Sequence, residues 1–387
     1  MSMVSVFGAL AACGDGGASH SEGLHYVAVL PLSGPLASIG EADKAAVEAA
    51  VDVANANGGT NGEPIELSFV DSTGTATEAV SALQKKLSSG DQVDFVHAGA
   101  TSTEAMPMQP ILTKAQVPSC TTASAEALDD PEKHPYAFGD SALSRYVAEA
   151  MVASLKELDY TKAAGVYPST ELGVAAKEAA IAATEKAGID FETVDADPAA
   201  TDLTSQYEQL KAGNPEVLVV DGFGPIAGVM LKTRAKMAWD VPVVGDDTFA
   251  VNNLGELVDE TALSGVYLST QALNVTGTPV TESSDFKEYQ DALAKHVDEP
   301  TFAAEVYGDQ YACVMLAVAA VEKAGSIEPE ALKDAMESFK SADDVPRWFV
   351  TKEIGFSAEN HFPAYRPEDY VTVKAGPRVN GLLVPKE

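Results

Sequence analysis

Short aliphatic runs alternate with helical segments along most of this chain, and no other feature limits its fold as much. Strands separated by a helix-length connection pair in parallel, and a parallel sheet needs a covering layer on both faces. Residues 25–30, 65–70, 93–96 and 117–120 read as strands, with helices at 41–56, 77–87 and 103–114 between them. Two of these helices stop at Asn57-Gly58-Gly59 and Ser88-Ser89-Gly90, where glycine takes the left-handed C-terminal turn at little cost. The alternation resumes with helices at 144–158, 174–187, 203–212 and 226–237, and with strands at 163–167, 189–194, 217–220 and 241–244. A strand at 265–269, helices at 283–296, 301–324 and 329–339, and a Pro/Gly-rich tail at 341–387 with a strand at 370–374 complete the pattern. These are too many units for one compact sheet. The expected fold class is α/β, with two doubly wound parallel-sheet lobes.

A chain of 387 residues that is 46% hydrophobic can fill two such cores. Its 58 acidic residues against 25 basic ones give a net charge of −33. Such a surface repels a polyphosphate backbone and an anionic bilayer alike. Nucleic acid is therefore not an expected partner, and membrane attachment would need a tether. After Cys13 no apolar run approaches the roughly 20 residues that span a bilayer. Six histidines are scattered without helix-face or zinc-type spacing, so no metal site is expected, and no cofactor. Cys120 follows an apolar approach and Cys313 lies in an apolar helical run. Sequence does not show whether they pair, and two separate buried thiols is the preferred reading.

The first residues carry a different signal. An apolar run from Met3 ends at Leu10-Ala11-Ala12-Cys13, and Gly14-Asp15-Gly16-Gly17 follows. An apolar stretch, small residues and a thiol are the parts of a lipoprotein signal. Residues 1–13 are read as that signal, Cys13 as the lipidated residue and 14–23 as a flexible tether. No Lys or Arg precedes Lys44, so the basic leader is absent, as if the recorded start lay downstream of the true one. The competing reading, a buried cysteine in an apolar strand, fits the glycine-rich continuation poorly.

Ligands of doubly wound sheets bind beyond the carboxyl ends of strands, so the loops there are the place to look. Pro31 to Gly40, Ala98-Gly99-Ala100-Thr101-Ser102-Thr103 and Thr121-Thr122-Ala123-Ser124 follow strands of the first half. Their hydroxyls and helix N-termini suit a carboxylate or another polar head. Taken singly, each hydroxyl is as readily a plain helix cap. Asp246 and Asp247 follow a strand of the second half and suit a cation.

In their order these motifs are similar to the leucine/isoleucine/valine-binding family, type I solute-binding proteins of ATP-driven importers. Ser33-Gly34-Pro35-x-Ala37-x-x-Gly40 opens the match, and Asn57-Gly58-Gly59, Asn61-Gly62 and Val70-Asp71-Ser72 continue it. Gly99-x-Thr101-Ser102, Val117-Pro118, Tyr167 to Gly173, Gly222-Phe223-Gly224-Pro225, Gly245-Asp246-Asp247 and Val321-Glu322-Lys323-Ala324-Gly325 follow, over roughly 25–340. The resemblance implies lobes of 24–140 plus 271–340 and 141–270 plus 341–387, joined by three crossovers around a ligand cleft. It implies a monomeric, extracytoplasmic, lipid-anchored receptor that closes on a small solute and delivers it to a membrane permease. An aliphatic or branched-chain amino acid is the first expectation. An amide, a urea-like compound or an organic or aromatic acid is the alternative.

Carried over by position, Ser102 would bond the ligand carboxylate, with Thr101 beside it, and Ala123 would offer backbone groups. Asp247 would pair with the ammonium, and Phe223 is an aromatic position of the second lobe. Ile39 and Leu172 stand where tyrosine is common. Ala125 stands where a threonine hydroxyl is usual, with Thr122 or Ser124 as substitutes. A disulfide that some members have near Thr101 is absent. The pocket wall is thus more aliphatic than usual.

Two other classes compete. Gly222-Phe223-Gly224-Pro225-Ile226-Ala227 fits a dinucleotide-binding turn, with Asp246 as the ribose acid, which would make an NAD(P)-dependent enzyme. Its mid-chain position weakens that reading. No nucleophile elbow, Walker loop or zincin motif occurs, so no other enzyme class has support. A ligand-sensing receptor domain shares the fold, but no membrane span or signalling domain follows here.

Overall fold

The computed structural model describes residues 23–385. The expected lipoprotein signal at 1–13 with its Cys13, and residues 14–22 of the tether, lie outside the described residues. Among the described residues, no helix is long and apolar enough to cross a membrane.

The first half contains β1 (His25–Leu30), β2 (Glu66–Asp71), β3 (Phe95–Ala98), β4 (Ser119–Thr121) and β5 (Ala137–Gly139), crossed by α1 (Ala37–Ala56), α2 (Ala76–Ser88) and α3 (Ser102–Ala115). They form one parallel sheet in the order β2-β1-β3-β4-β5. The second half begins with α4 (Ser144–Glu157) and runs through β6 (Lys162–Pro168), α5 (Glu171–Ala187), β7 (Asp190–Ala196), α6 (Thr204–Ala212) and β8 (Val217–Val220). It continues with α7 (Pro225–Lys236), β9 (Val243–Gly245), the short α8 (Asp247–Ala250) and α9 (Leu254–Leu257), and β10 (Val266–Gln271). Three helices follow, α10 (Ser284–Leu293), α11 (Ala304–Ala324) and α12 (Pro329–Glu337), and then β11 (Tyr370–Lys374).

The second sheet reads β7-β6-β8-β9-β10-β11 from its other edge. Up to β10 this repeats the wiring of the first sheet. Only β11 departs, pairing antiparallel with β10. In each sheet the order reverses beside the first strand, β1 or β6. Loops leaving the strands diverge there and open a crevice beyond the carboxyl ends. The expected fold class, α/β with two doubly wound sheets, is the one observed.

The chain passes between the halves after Gly139, after Gln271 and again before Tyr370. α11 is buried along most of its length and packs on α1, within a core that also holds Trp348, Phe349, Ile354 and Phe356 from the tail. The terminal hairpin of β12 (Arg378–Val379) and β13 (Leu382–Leu383) straddles the halves, with Leu382 in the first core and Leu383 in the second.

One sequence reading is corrected. Cys120 and Cys313 are not separate thiols but a disulfide that ties β4 to α11, with Cα atoms 5.6 Å apart and a sequence separation of 193. Both cysteines look like core residues because both are core residues; only the packing of α11 against β4 makes them neighbours. Closing so long a loop contributes about 5 kcal/mol in the chain-entropy account. β5 also escaped the sequence reading, being too short for a period. Gly139 is required there because a Cβ would lie 2.0 Å from the Phe362 ring.

Candidate functional site

A cavity of about 370 Å³ lies between the two sheets at their carboxyl ends. Loops after β3 and β4 supply Ala100 to Thr103 and Thr122 to Ser124, and the start of α1 supplies Ile39. The second half supplies Thr170 to Leu172, Phe223, Asp247, Thr248 and Gln271, and α11 adds Glu305, Val306 and Asp309. The structure therefore brings Ile39, Thr101, Ser102, Thr122, Ala123, Ser124, Leu172, Phe223 and Asp247 around one space. Ala125 is not among the lining residues; it packs on the small cluster of Leu128, Leu143 and Phe362.

The first-half wall is built of hydroxyls and helix amides. Thr101 is the N-cap residue of α3, so the first-turn amides of Ser102 and Thr103 have no helical acceptor, and the positive end of the helix faces the cavity. The Thr101 hydroxyl donates to Glu104 Oε2 at 2.8 Å. Its single hydrogen is committed inside the protein, which leaves Thr101 no side-chain donor for an anion. Ala123 is similar: its N–H donates to Thr121 Oγ1 at 3.2 Å. Thr122 behaves in the opposite way. Its Oγ1 accepts from Gln310 Nε2 at 3.1 Å, so its hydrogen is free for the cavity. The same Gln310 nitrogen donates to Asp43 Oδ1 at 2.9 Å. Burial, then the Glu104 charge, push the Asp43 carboxyl well above its usual range.

The acids of the cavity come from both halves, Asp247 from the second and Glu305 and Asp309 from α11 of the first. Asp247 begins α8, and Gln271 holds both of its oxygens, the backbone N–H on Oδ1 at 3.0 Å and Nε2 on Oδ2 at 3.1 Å. Burial still pushes Asp247 up to about 6. Glu305 accepts from Asn274 Nδ2, and the Glu305 N–H donates to Asn274 Oδ1 at 2.9 Å. Burial, then the charges of Asp247 and Asp309, raise Glu305 well above its usual range. Asp309 lies one turn further along α11. Burial first, and then Asp247, push it up to about 7 against a hydrogen bond from Ser141. A half-buried cation stands near this group: Arg378 of β12 donates to Ala250 O at 2.6 Å and to Gly381 O at 2.7 Å. Burial lowers it to about 10, while Glu305 and Asp247 favour its charge.

Sequence reasoning missed Glu305 and Asp309. A signal was present: two acids at i and i+4 share one face of a helix that is otherwise almost wholly apolar. Asp246, weighed as a cation partner, caps α8 instead, its Oδ1 accepting from the Phe249 N–H at 3.1 Å. The glycine turn weighed as a dinucleotide loop is also occupied. Gly224 N–H donates to Asn252 Oδ1 at 2.7 Å, and Asn252 Nδ2 donates to Gly222 O at 2.9 Å. Of the metal-ligating residue types among the described residues, Cys120, Asp140 and Cys313 come together, but both sulfurs are held in the disulfide. Phe223 is 37% exposed and stacks on Phe302, with ring centroids 6.1 Å apart.

The sequence profile of the periplasmic binding protein family matches residues 27–376. The Leu/Ile/Val-binding protein BraC3 of Rhizobium johnstonii is 28% identical over 88% of this chain and 90% of its own. Leu/Ile/Val-binding protein homolog 3 of Brucella melitensis is 24% identical over the same shares. Among solved structures, the branched-chain amino acid transporter substrate-binding protein LivJ of Streptococcus pneumoniae, in complex with isoleucine, superposes with a TM-score of 0.73 at 21% identity, over 91% of this chain and 100% of that one. A solute-binding protein of an ABC transporter from Rhodopseudomonas palustris, in complex with 4-hydroxybenzoate, gives 0.74 at 18% identity, over 94% and 95%. At those identities the structures show a common fold.

Proposed function

Because the chain belongs to the periplasmic binding protein family, we propose that it is the extracytoplasmic solute-binding component of an ATP-driven importer, not an enzyme, and that its ligand is an amino acid with an aliphatic side chain. One observation carries the ligand class: a single cavity has helix amides and a free hydroxyl on the first half and the buried Asp247 carboxyl on the second. The α-carboxylate would lie against the α3 N-terminus, taking bonds from the first-turn amides and the Thr122 hydroxyl. The ammonium would lie on Asp247. Ile39, Leu172, Val251 and Phe223 would enclose the aliphatic stem.

Closure of the halves about the three chain crossings would desolvate both ends, and that supplies selectivity. A buried polar group left without a partner costs about 1–3 kcal/mol, and a charged one costs more. An organic acid without an amine would leave Asp247 in that position, which places the alternative of an aromatic or organic acid second. The closed form would be the one a permease recognises. The tether would hold the receptor near the permease through lipid on Cys13, and intact mass of membrane-extracted protein reads that modification directly.

A thermal-shift and calorimetric screen tests the reading. Leucine, isoleucine, valine and norleucine should each raise the melting temperature, because ligand at a hundredfold its Kd stabilises by about 2.7 kcal/mol. A rise with NAD(P), or with carboxylic acids alone, and none with any amino acid would overturn it.

A further inference from the structure

The acids of the cavity carry more negative charge than one ammonium can answer. Asp247, Glu305 and Asp309 all line the cavity, and Arg378 is the half-buried cation that acts on Asp247 and Glu305. Fully ionised, three carboxylates against one guanidinium leave two charges, of which an α-ammonium neutralises one. Asp309 is the group left over. It is 8% exposed, and its Oδ1 has no hydrogen-bond partner.

The other Asp309 oxygen bears on this excess charge. Oδ2 lies 2.8 Å from Ser141 Oγ, and Ser141 Oγ also lies 2.8 Å from Thr122 O. A serine hydroxyl has one hydrogen. A carbonyl and an ionised carboxylate both need it. The pair is satisfied when Ser141 donates to Thr122 O and a protonated Asp309 donates to Ser141. The groups that act on or respond to Asp309 are acidic or phenolic: Asp43 from α1, Asp247 from α8, Glu305 one turn back, Asp140 after β5, and Tyr289, Tyr365 and Tyr370. A proton on Asp309 is thus the resident substitute for a cation.

We propose that Asp309, supported by Glu305, is a second cation-anchoring position of the cleft, and that the ligand class is an amino acid whose aliphatic stem ends in a cationic group, such as ornithine or lysine. This rests on the reading of the cleft as an amino-acid site and narrows it. The arriving side-chain ammonium donates to Asp309 Oδ1, and the displaced proton passes to solvent. A neutral side chain of the same length leaves the proton in place and Oδ1 unpaired.

Calorimetric titration of the full chain and of Asp309→Asn, an isosteric change, with L-lysine, L-norleucine and 1,4-diaminobutane tests this. The wild type should bind lysine at least tenfold more tightly than norleucine. Lysine should also release more protons than norleucine at pH 6, read from buffers of different ionisation enthalpy. In Asp309→Asn both differences should vanish. Norleucine binding equal to or tighter than lysine in the wild type, or an equal loss for both in the variant, overturns the second position and leaves the amino-acid reading intact. Diamine binding that needs Asp309, without binding of either amino acid, keeps the second position and overturns the amino-acid reading. Binding of none of the three overturns both.

Discussion

The two halves share one strand order, yet they bring different groups to the cleft between them. On the first half, β1, β3 and β4 lead into loops of small and hydroxyl residues, and α3 adds its positive end. On the second half, β9 leads into Asp247, while α11, packed on the first sheet, adds Glu305 and Asp309 from the first half. Topology alone puts loops at the rim. Charge is assigned afterwards, by what each loop places there and by what a distant helix delivers. The halves also differ in how they are fastened. The first core has a disulfide between β4 and α11, and among the described residues the second has none.

That last difference gives the largest expected effect. Reduction, or Cys120→Ser with Cys313→Ser, should lower unfolding stability by about 5 kcal/mol. The loss should fall on the first half, so hydrogen exchange of α11 and β4 amides should rise while β6 and β8 stay protected. Uniform loosening of both halves would break the contrast. Affinity at 25 °C should persist, because neither cysteine lines the cavity.

Next come the acids of the cavity. Asp247→Asn removes the charge and leaves the shape. It should weaken amino-acid binding by about 3 kcal/mol, the upper range for a hydrogen bond to a charged group and roughly a hundredfold in Kd. A carboxylic acid of the same stem should gain or hold. Equal losses for the two would take Asp247 out of the ammonium role.

The smallest effect lies on the hydroxyl wall and separates two neighbours that sequence cannot tell apart. Thr122→Val should cost about 1 kcal/mol, several-fold in Kd, because its free hydrogen would be lost. Thr101→Val should leave affinity almost unchanged and lower stability instead, since it strips Glu104 of a donor. The reverse ranking, read by titration calorimetry beside thermal melts, would exchange their roles.

The sequence was most legible where a local rule applied. Strand–helix alternation and glycine stops place the rim loops, and within those loops the family resemblance singled out Ile39, Ser102, Leu172, Phe223 and Asp247, with Thr122 as a substitute hydroxyl. It was least legible where chains far apart in sequence meet. Glu305 and Asp309 reach the cleft only because α11 folds back onto the first sheet, and Cys313 reaches Cys120 for the same reason. Hydrogen-bond direction was also out of reach. Thr101 and Thr122 read alike until Glu104 and Gln310 show which hydrogen is already used.

The central claim is that one cavity holds both ends of a zwitterion, one on each half. Titrating the protein with norleucine and with its two parts, hexanoate and pentylamine, tests it most directly. The account predicts that norleucine binds at least a hundredfold more tightly than either part. Hexanoate binding as tightly as norleucine would contradict it.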